Sequence, residues 1–268
     1  MSYDDVDGLR AQLDGAVLRL VLDRADARNA VSDTMLFALI DHVVAAGQDE
    51  AVRVVAITTS GPHFCAGADF LARNAGSDRR PRVGSIQRRL PSMAHRLIPT
   101  LASTQVPIVA AVRGWASGLG FHIALGADFC VTADDAKFWE PFMQRGFTPD
   151  SGAAWLLPRV VGMVRARELL LLGRELTGAE AADWGLVHEA VPDAELDARA
   201  EALVQRLASG PTVALGLTKW LLHSGGGIDF ERHLQNEALA LELSSRSDDF
   251  REGLSAFREK RDPGFQGR

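Results

Sequence analysis

Residues 107–133 read PIVAAVRGWASGLGFHIALGADFCVTA. The opening PIVAAV is a short, continuously apolar run, the signature of a strand buried on both faces. Residues 114–128 pass through glycines into an apolar helical stretch, and FCVTA at 129–133 returns to strand character. A helix that starts on glycines presents unpaired N–H groups and a partial positive charge. Such an end can hold a phosphate or a developing oxyanion. The stretch is no Walker sequence, because no Gly-Lys-Ser/Thr follows, and no G-x-G-x-x-G, because Ile123 stands at the third glycine position. A dinucleotide site is therefore disfavoured.

Outward from this unit, AVLRLVL at 16–22 alternates like a strand, and VRVVAITT at 52–59 reads as a buried one. The mixed-charge segment 85–103 reads as one long helix. Helical spacing dominates the second half, over 151–161, 163–172, 179–184, 193–209, 212–223, 230–245 and 249–258. LVHEAV at 186–191 is a further strand, and glycines at 173, 178, 210 and 225–227 punctuate the helices. No fixed-period repeat and no low-complexity linker divides the chain. The pattern is one α/β domain with a helical C-terminal extension.

Composition narrows the function. The 268 residues carry 29 basic and 35 acidic side chains, a net charge of −6. That balance argues against nucleic-acid binding, which needs a basic footprint. The longest uncharged stretches fall short of the ~20 apolar residues of a membrane span. The acidic residues 1–9 are no signal peptide, which points to a cytoplasmic protein. Cys65 and Cys130 read as buried, reduced thiols, neither a disulfide framework nor a zinc site. The seven histidines show no ligand spacing, so no metal is expected.

Two further segments have chemical potential. In SGPHFCAGADF at 60–70 a strand ends in small residues that let the backbone approach a ligand. Free N–H groups there could hold an oxyanion, although an ordinary tight turn is the better reading of the local chemistry alone. In WEPFMQRGFTPDSG at 139–152, Asp150 follows a proline and precedes an apolar helix. Helix N-cap and general acid/base stand about even for it.

Taken together and in order, these segments resemble the crotonase superfamily, the enoyl-CoA hydratase/isomerase family. The resemblance runs from LDRADARNA at 22–30 through FCAGAD at 64–69, PIVAAVRG at 107–114 and GLG at 118–120. It ends in AEAADWGLV at 179–187 and EGLSAFREKR at 252–261. It implies a crotonase-type ββα superhelix, with residues 1–200 as the acyl-CoA-binding core. Residues 201–268 would be a helical region supporting a homotrimer, or a hexamer built as a dimer of trimers. The implied partner is an acyl-CoA substrate, with coenzyme A as part of the thioester and no permanently bound cofactor. The implied oxyanion donors are the N–H groups of Ala68 and Leu119. CoA contacts would fall on Ala27, Arg28, Ala66, Asp69 and Phe70, with Trp115 and Phe142 walling the pocket. Lys260 would reach a neighbouring subunit's CoA; a solvated helix terminus is its plainer reading.

The departures from the family pattern are informative. Hydratases of the family use two glutamates, and here those positions hold His122 and Phe142. Phenylalanine can be neither acid nor base. Glu140, two residues earlier, would share a face with Phe142 in an extended segment but reads as exposed. His122 could be a base, a hydrogen-bond partner or a buried, satisfied side chain. GFTPDSG at 146–152, followed by WLLPRV at 155–160, resembles the 1,2-epoxyphenylacetyl-CoA isomerase-like branch. That branch keeps an aspartate here and lacks both glutamates; dehalogenase and ring-hydrolase branches place one here too. The expectation is an isomerase-type enzyme with Asp150 as single acid/base and His122 beside it. A hydratase with unusual groups, a ring or carbon–carbon hydrolase and a non-catalytic acyl-CoA binder are the alternatives. The segment 71–99 is expected to line the acyl pocket.

Overall fold

The computed structural model describes residues 1–69 and 82–268. Phe70 and the first part of the expected acyl wall, up to residue 81, lie outside the described residues.

The elements follow from local chemistry. β1 (Leu9–Asp14) and β2 (Val17–Leu22) form an antiparallel hairpin. α1 (Asp33–Ala46) is capped by Ser32, whose hydroxyl accepts from the Met35 N–H at 3.2 Å. It buries Met35, Leu36, Leu39, Ile40 and Val43 along one stripe. β3 (Val54–Thr59) follows. The stretch read as one helix over 85–103 is divided: α2 (Ser85–Arg89), a 3₁₀ turn at Leu90–Ser92, then α3 (Ala94–Ser103). Pro91 sits in that turn, where its missing N–H and ring end a continuous helix.

β4 (Ile108–Val112) is buried along its whole length. β5 (Trp115–Ser117) leads into α4 (Leu119–Gly126), β6 (Phe129–Ala133) and β7 (Lys137–Trp139). α5 (Ala153–Leu171) is broken at Gly162, whose φ of 76° separates the two helical segments read from the sequence. β8 (Leu176–Thr177), α6 (Gly178–Asp183) and β9 (Glu189–Val191) complete the strands. α7 (Asp193–Ala208), α8 (Thr212–Ser224), α9 (Phe230–Ser244) and α10 (Asp248–Glu259) close the chain.

One sheet has the order β1-β2-β3-β4-β6-β9, parallel beyond the hairpin, and a second has the order β5-β7-β8. The main core covers one face of the larger sheet. On the other face, Val204, Leu207 and Ala208 of α7 close over Val17, Val54, Ala56 and Val109. The fold is the α/β class expected. Between α3, β4 and α8, the buried Lys219 ammonium pairs with Asp128 at 2.7 Å and donates to the Leu101 carbonyl at 2.8 Å. Among the described residues no helix is long and apolar enough to cross a membrane.

Candidate active site

The second sheet brings the three segments singled out in the sequence together. The Cys65 N–H donates to the Trp115 carbonyl at 2.8 Å, and the Ser117 N–H donates to the Cys65 carbonyl at 2.9 Å. The 64–68 loop therefore runs along β5 into the start of α4. One pocket is lined by Ala66, Gly67 and Ala68 from the loop and by Gly118 and Leu119 from the helix start. Pro141, Phe142, Arg145, Phe147, Asp150 and Ser151 line it from the segment after β7, with Leu90 and Ala94 on a further side.

Two backbone donors are directed by this geometry. The Val31 N–H donates to the Gly67 carbonyl at 2.8 Å, and the Asp69 N–H donates to the Val31 carbonyl at 2.9 Å. In a parallel bridge of this kind Ala68's own N–H faces away from residue 31. Leu119 is the first residue of α4, so its N–H has no acceptor within the helix. Gly67 has φ 101°, and a Cβ there would lie 3.0 Å from the Ser117 carbonyl oxygen. The positive φ and this close approach to the Ser117 carbonyl both favour glycine at position 67.

Asp150 does not cap the helix that follows it. α5 starts at Ala153 after Gly152 at φ 98°, with no side-chain cap. Ser151, between them, holds the left-handed conformation at φ 51°, a costly one for a non-glycine residue. Among the described residues the Asp150 carboxylate has no hydrogen bond or ion pair with protein. It faces a pocket whose walls at Phe142 and Phe147 are aromatic rings in edge contact, centroids 5.4 Å apart.

Glu140 overturns its sequence reading as an exposed carboxylate. It is 0% exposed, as is His122, and His122 Nε2 stands 2.9 Å from Glu140 Oε1. The other two polar atoms of the pair, His122 Nδ1 and Glu140 Oε2, are buried without a partner among the described residues. The His122 ring stacks on Phe142 at 6.1 Å between centroids and 16° between planes. Burial pushes the Glu140 carboxyl up, His122 draws it back, and the Asp150 charge adds to the rise. His122 is not among the residues that line the pocket. No local spacing announces this pair, because it joins α4 to the end of β7 across eighteen residues.

The remaining residues take varied places. Ala66 lines the pocket, and its N–H donates to the Arg28 carbonyl at 2.9 Å. Ala27 ends a 3₁₀ turn, and Arg28 follows in the left-handed conformation at φ 49° with its side chain exposed. Asp69 is buried and accepts from Arg24 at 3.0 Å. Trp115 lies outside the lining, tilted against Trp139 at 5.9 Å between ring centroids. Lys260 sits exposed at the C-terminal end of α10. Cys65 and Cys130 are free and buried, and burial pushes the Cys65 thiol up to about 12. Sequence reading missed Asn29, which organises the floor of these loops. It is fully buried, accepts from the Arg24 N–H at 2.6 Å and donates to the Ser60 and His63 carbonyls at 3.0 and 2.8 Å.

The same architecture recurs in known proteins. The enoyl-CoA hydratase/isomerase family profile matches residues 12–268. The chain is 36% identical to the 1,2-epoxyphenylacetyl-CoA isomerase of Escherichia coli (strain K12), over 96% of this chain and 98% of that one. It is 34% identical to the crotonyl-CoA hydratase of Syntrophomonas wolfei, over 92% of this chain and 93% of that one. The crystal structure of enoyl-CoA hydratase from Bacillus anthracis superposes with a TM-score of 0.89 at 30% identity, covering 97% of this chain and 100% of that one. The fold is thus the crotonase fold, and the chain belongs to the enoyl-CoA hydratase/isomerase family.

Proposed function

We propose that the protein is an isomerase-type acyl-CoA enzyme in which Asp150 is the single acid/base. The thioester oxygen sits between the Ala68 and Leu119 N–H groups. Asp150 takes a proton from a carbon next to the conjugated system. The bonding pair moves into an enolate whose charge the two N–H groups hold. The same proton then returns from Asp150 at another carbon, so the product has the mass of the substrate. One base suffices for this shift, whereas water addition conventionally engages two groups. Coenzyme A enters as part of the substrate, and no permanent cofactor is invoked.

The observation that supports this reading is that Asp150, whose carboxylate has no protein partner among the described residues, lines one largely apolar pocket together with Ala68 and Leu119. The likeness to the 1,2-epoxyphenylacetyl-CoA isomerase supports it. The burial of His122 and Glu140 outside the pocket lining weighs against their activating a water molecule on substrate. Incubation with a 2-enoyl-CoA and separately a 3-enoyl-CoA tests the reading. Interconversion at unchanged mass is expected, and a product heavier by one water contradicts it.

We further propose that residues 1–200 form the acyl-CoA-binding core and residues 201–268 an oligomerisation region. Leu222, Phe230 and Phe257 are 78%, 74% and 82% exposed on the last helices, an unusual apolar display for a free surface. A homotrimer, alone or paired into a hexamer, covers them. Sedimentation should give three or six times 28.9 kDa; a monomer contradicts the assignment.

A further inference from the structure

His122 and Glu140 take no part in the proton transfer just described, yet both are fully buried beside the pocket. A core position is usually filled at least as well by apolar side chains of similar volume. Here the pair forms one hydrogen bond of 2.9 Å, and His122 Nδ1 and Glu140 Oε2 are buried without a partner among the described residues. Native structures keep such atoms few. Stability alone does not account for the pair.

Its position does. His122 is one turn into α4, the helix whose first N–H is that of Leu119, and its own N–H donates to the Gly118 carbonyl at 3.0 Å. Glu140 immediately precedes Pro141 and Phe142, which line the pocket. The Phe142 carbonyl accepts from the N–H groups of Arg145 and Phe147, each at 3.1 Å. The segment that carries Asp150 is thereby folded around Phe142, on which the His122 ring stacks. The bond thus spans from the oxyanion helix to the acid/base segment. Among the described residues, Arg145 is, besides Asp150, the other charged group lining the pocket.

We propose that His122 and Glu140 form a positioning dyad that holds the Leu119 N–H in register with Asp150. This rests on the assignment of Ala68, Leu119 and Asp150 above. The dyad touches no substrate; it acts by fixing the distance between donor and base.

The test uses acetoacetyl-CoA, a β-keto thioester whose enolate absorbs in the near ultraviolet, so oxyanion stabilisation is read without knowing the natural acyl group. Its binding, its bound enolate fraction and the thermal midpoint are measured for the wild type, Glu140→Gln, Glu140→Leu and the double variant Glu140→Leu/His122→Phe. Glu140→Gln keeps an acceptor for the His122 N–H and should retain most of the enolate signal. Glu140→Leu should bind the thioester but lose about tenfold or more in enolate, as sub-ångström misplacement of a catalytic donor does. The double variant, which leaves no orphaned polar atom, should recover the thermal midpoint but not the enolate signal. Recovery of both in the double variant, or a wild-type enolate signal in Glu140→Leu, overturns the dyad while leaving the function proposal standing. A wild type that binds acetoacetyl-CoA without enolising it overturns the donor assignment and the dyad with it.

Discussion

Gly120 lies in direct backbone contact with Cys65: a methyl group on Gly120 would sit 2.4 Å from the Cys65 carbonyl oxygen and 2.6 Å from its Cβ. That contact seats the start of α4 against the 64–68 loop, and Leu119 and Ala68 both line the one pocket. Neither neighbouring atom can swing away, because one is backbone and the other is the root of a buried side chain. Gly120→Ala should therefore destabilise by about 1–3 kcal/mol or more, the usual cost of overpacking. It should also lower turnover beyond the fraction unfolded. Gly226, with nothing within 4 Å, is the control: Gly226→Ala should leave the thermal midpoint and turnover unchanged. A Gly120→Ala protein as stable and active as the control would show that the contact does not set the donors.

Asn29 should matter more than any surface residue of its loop. It bonds to the Thr59 hydroxyl, to two carbonyls and to the Arg24 N–H, all within a fully buried environment. It also holds φ 54°, which asparagine tolerates better than alanine. Asn29→Ala orphans several groups at once and should cost about 3 kcal/mol. The 24–30 and 60–63 loops should loosen together, weakening CoA-ester binding. Chemical denaturation and a CoA-ester titration on the same variant check both effects.

The pair of Arg19 with Glu201 gives a pH signature. Arg19 reaches both carboxylate oxygens at 2.8 and 2.9 Å, tying β2 to α7. The guanidinium holds the Glu201 carboxyl down to about 2 from an ordinary 4.5. A carboxyl lowered in the folded state adds stability that is complete above 4.5 and is lost as the pH falls toward about 2. The Glu201 side chain is 42% exposed, so the contribution at neutral pH should be about 0.2–1 kcal/mol. The difference in thermal midpoint between wild type and Glu201→Gln should shrink steadily below pH 4.5. A difference that grows on acidification contradicts this sign.

Much of the sheet was legible because its strands are buried on both faces. The runs at 52–59, 107–112 and 129–133 contain β3, β4 and β6 almost whole. The sequence pattern does not mark β1, in which only Leu9 and Ala11 are buried in alternation, or β5, β7 and β8, which are too short to show a period. The α1 helix went unread despite Ser32 before a stripe of apolar residues. Within the site, the family resemblance pointed to Ala68, Leu119 and Asp150, and all three line the one pocket. Glu140 was not legible, because charge in a sequence reads as exposure, and only the fold supplies the histidine that meets it. Asn29 was hidden for the same reason: the two carbonyls it donates to lie in a loop more than thirty residues away.

The central claim is that Asp150 alone carries the proton while two backbone donors hold the enolate. It is tested most directly by Asp150→Asn, which preserves shape and removes the base. Wild type and variant are compared on a 3-enoyl-CoA, with product mass, turnover and CoA-ester affinity measured together. The account predicts that the wild type forms the 2-enoyl isomer at unchanged mass. The variant should bind the ester with similar affinity and turn over about 10²–10⁴-fold more slowly, the range for loss of a general base. Turnover retained in Asp150→Asn, or a wild-type product heavier by one water, would contradict it.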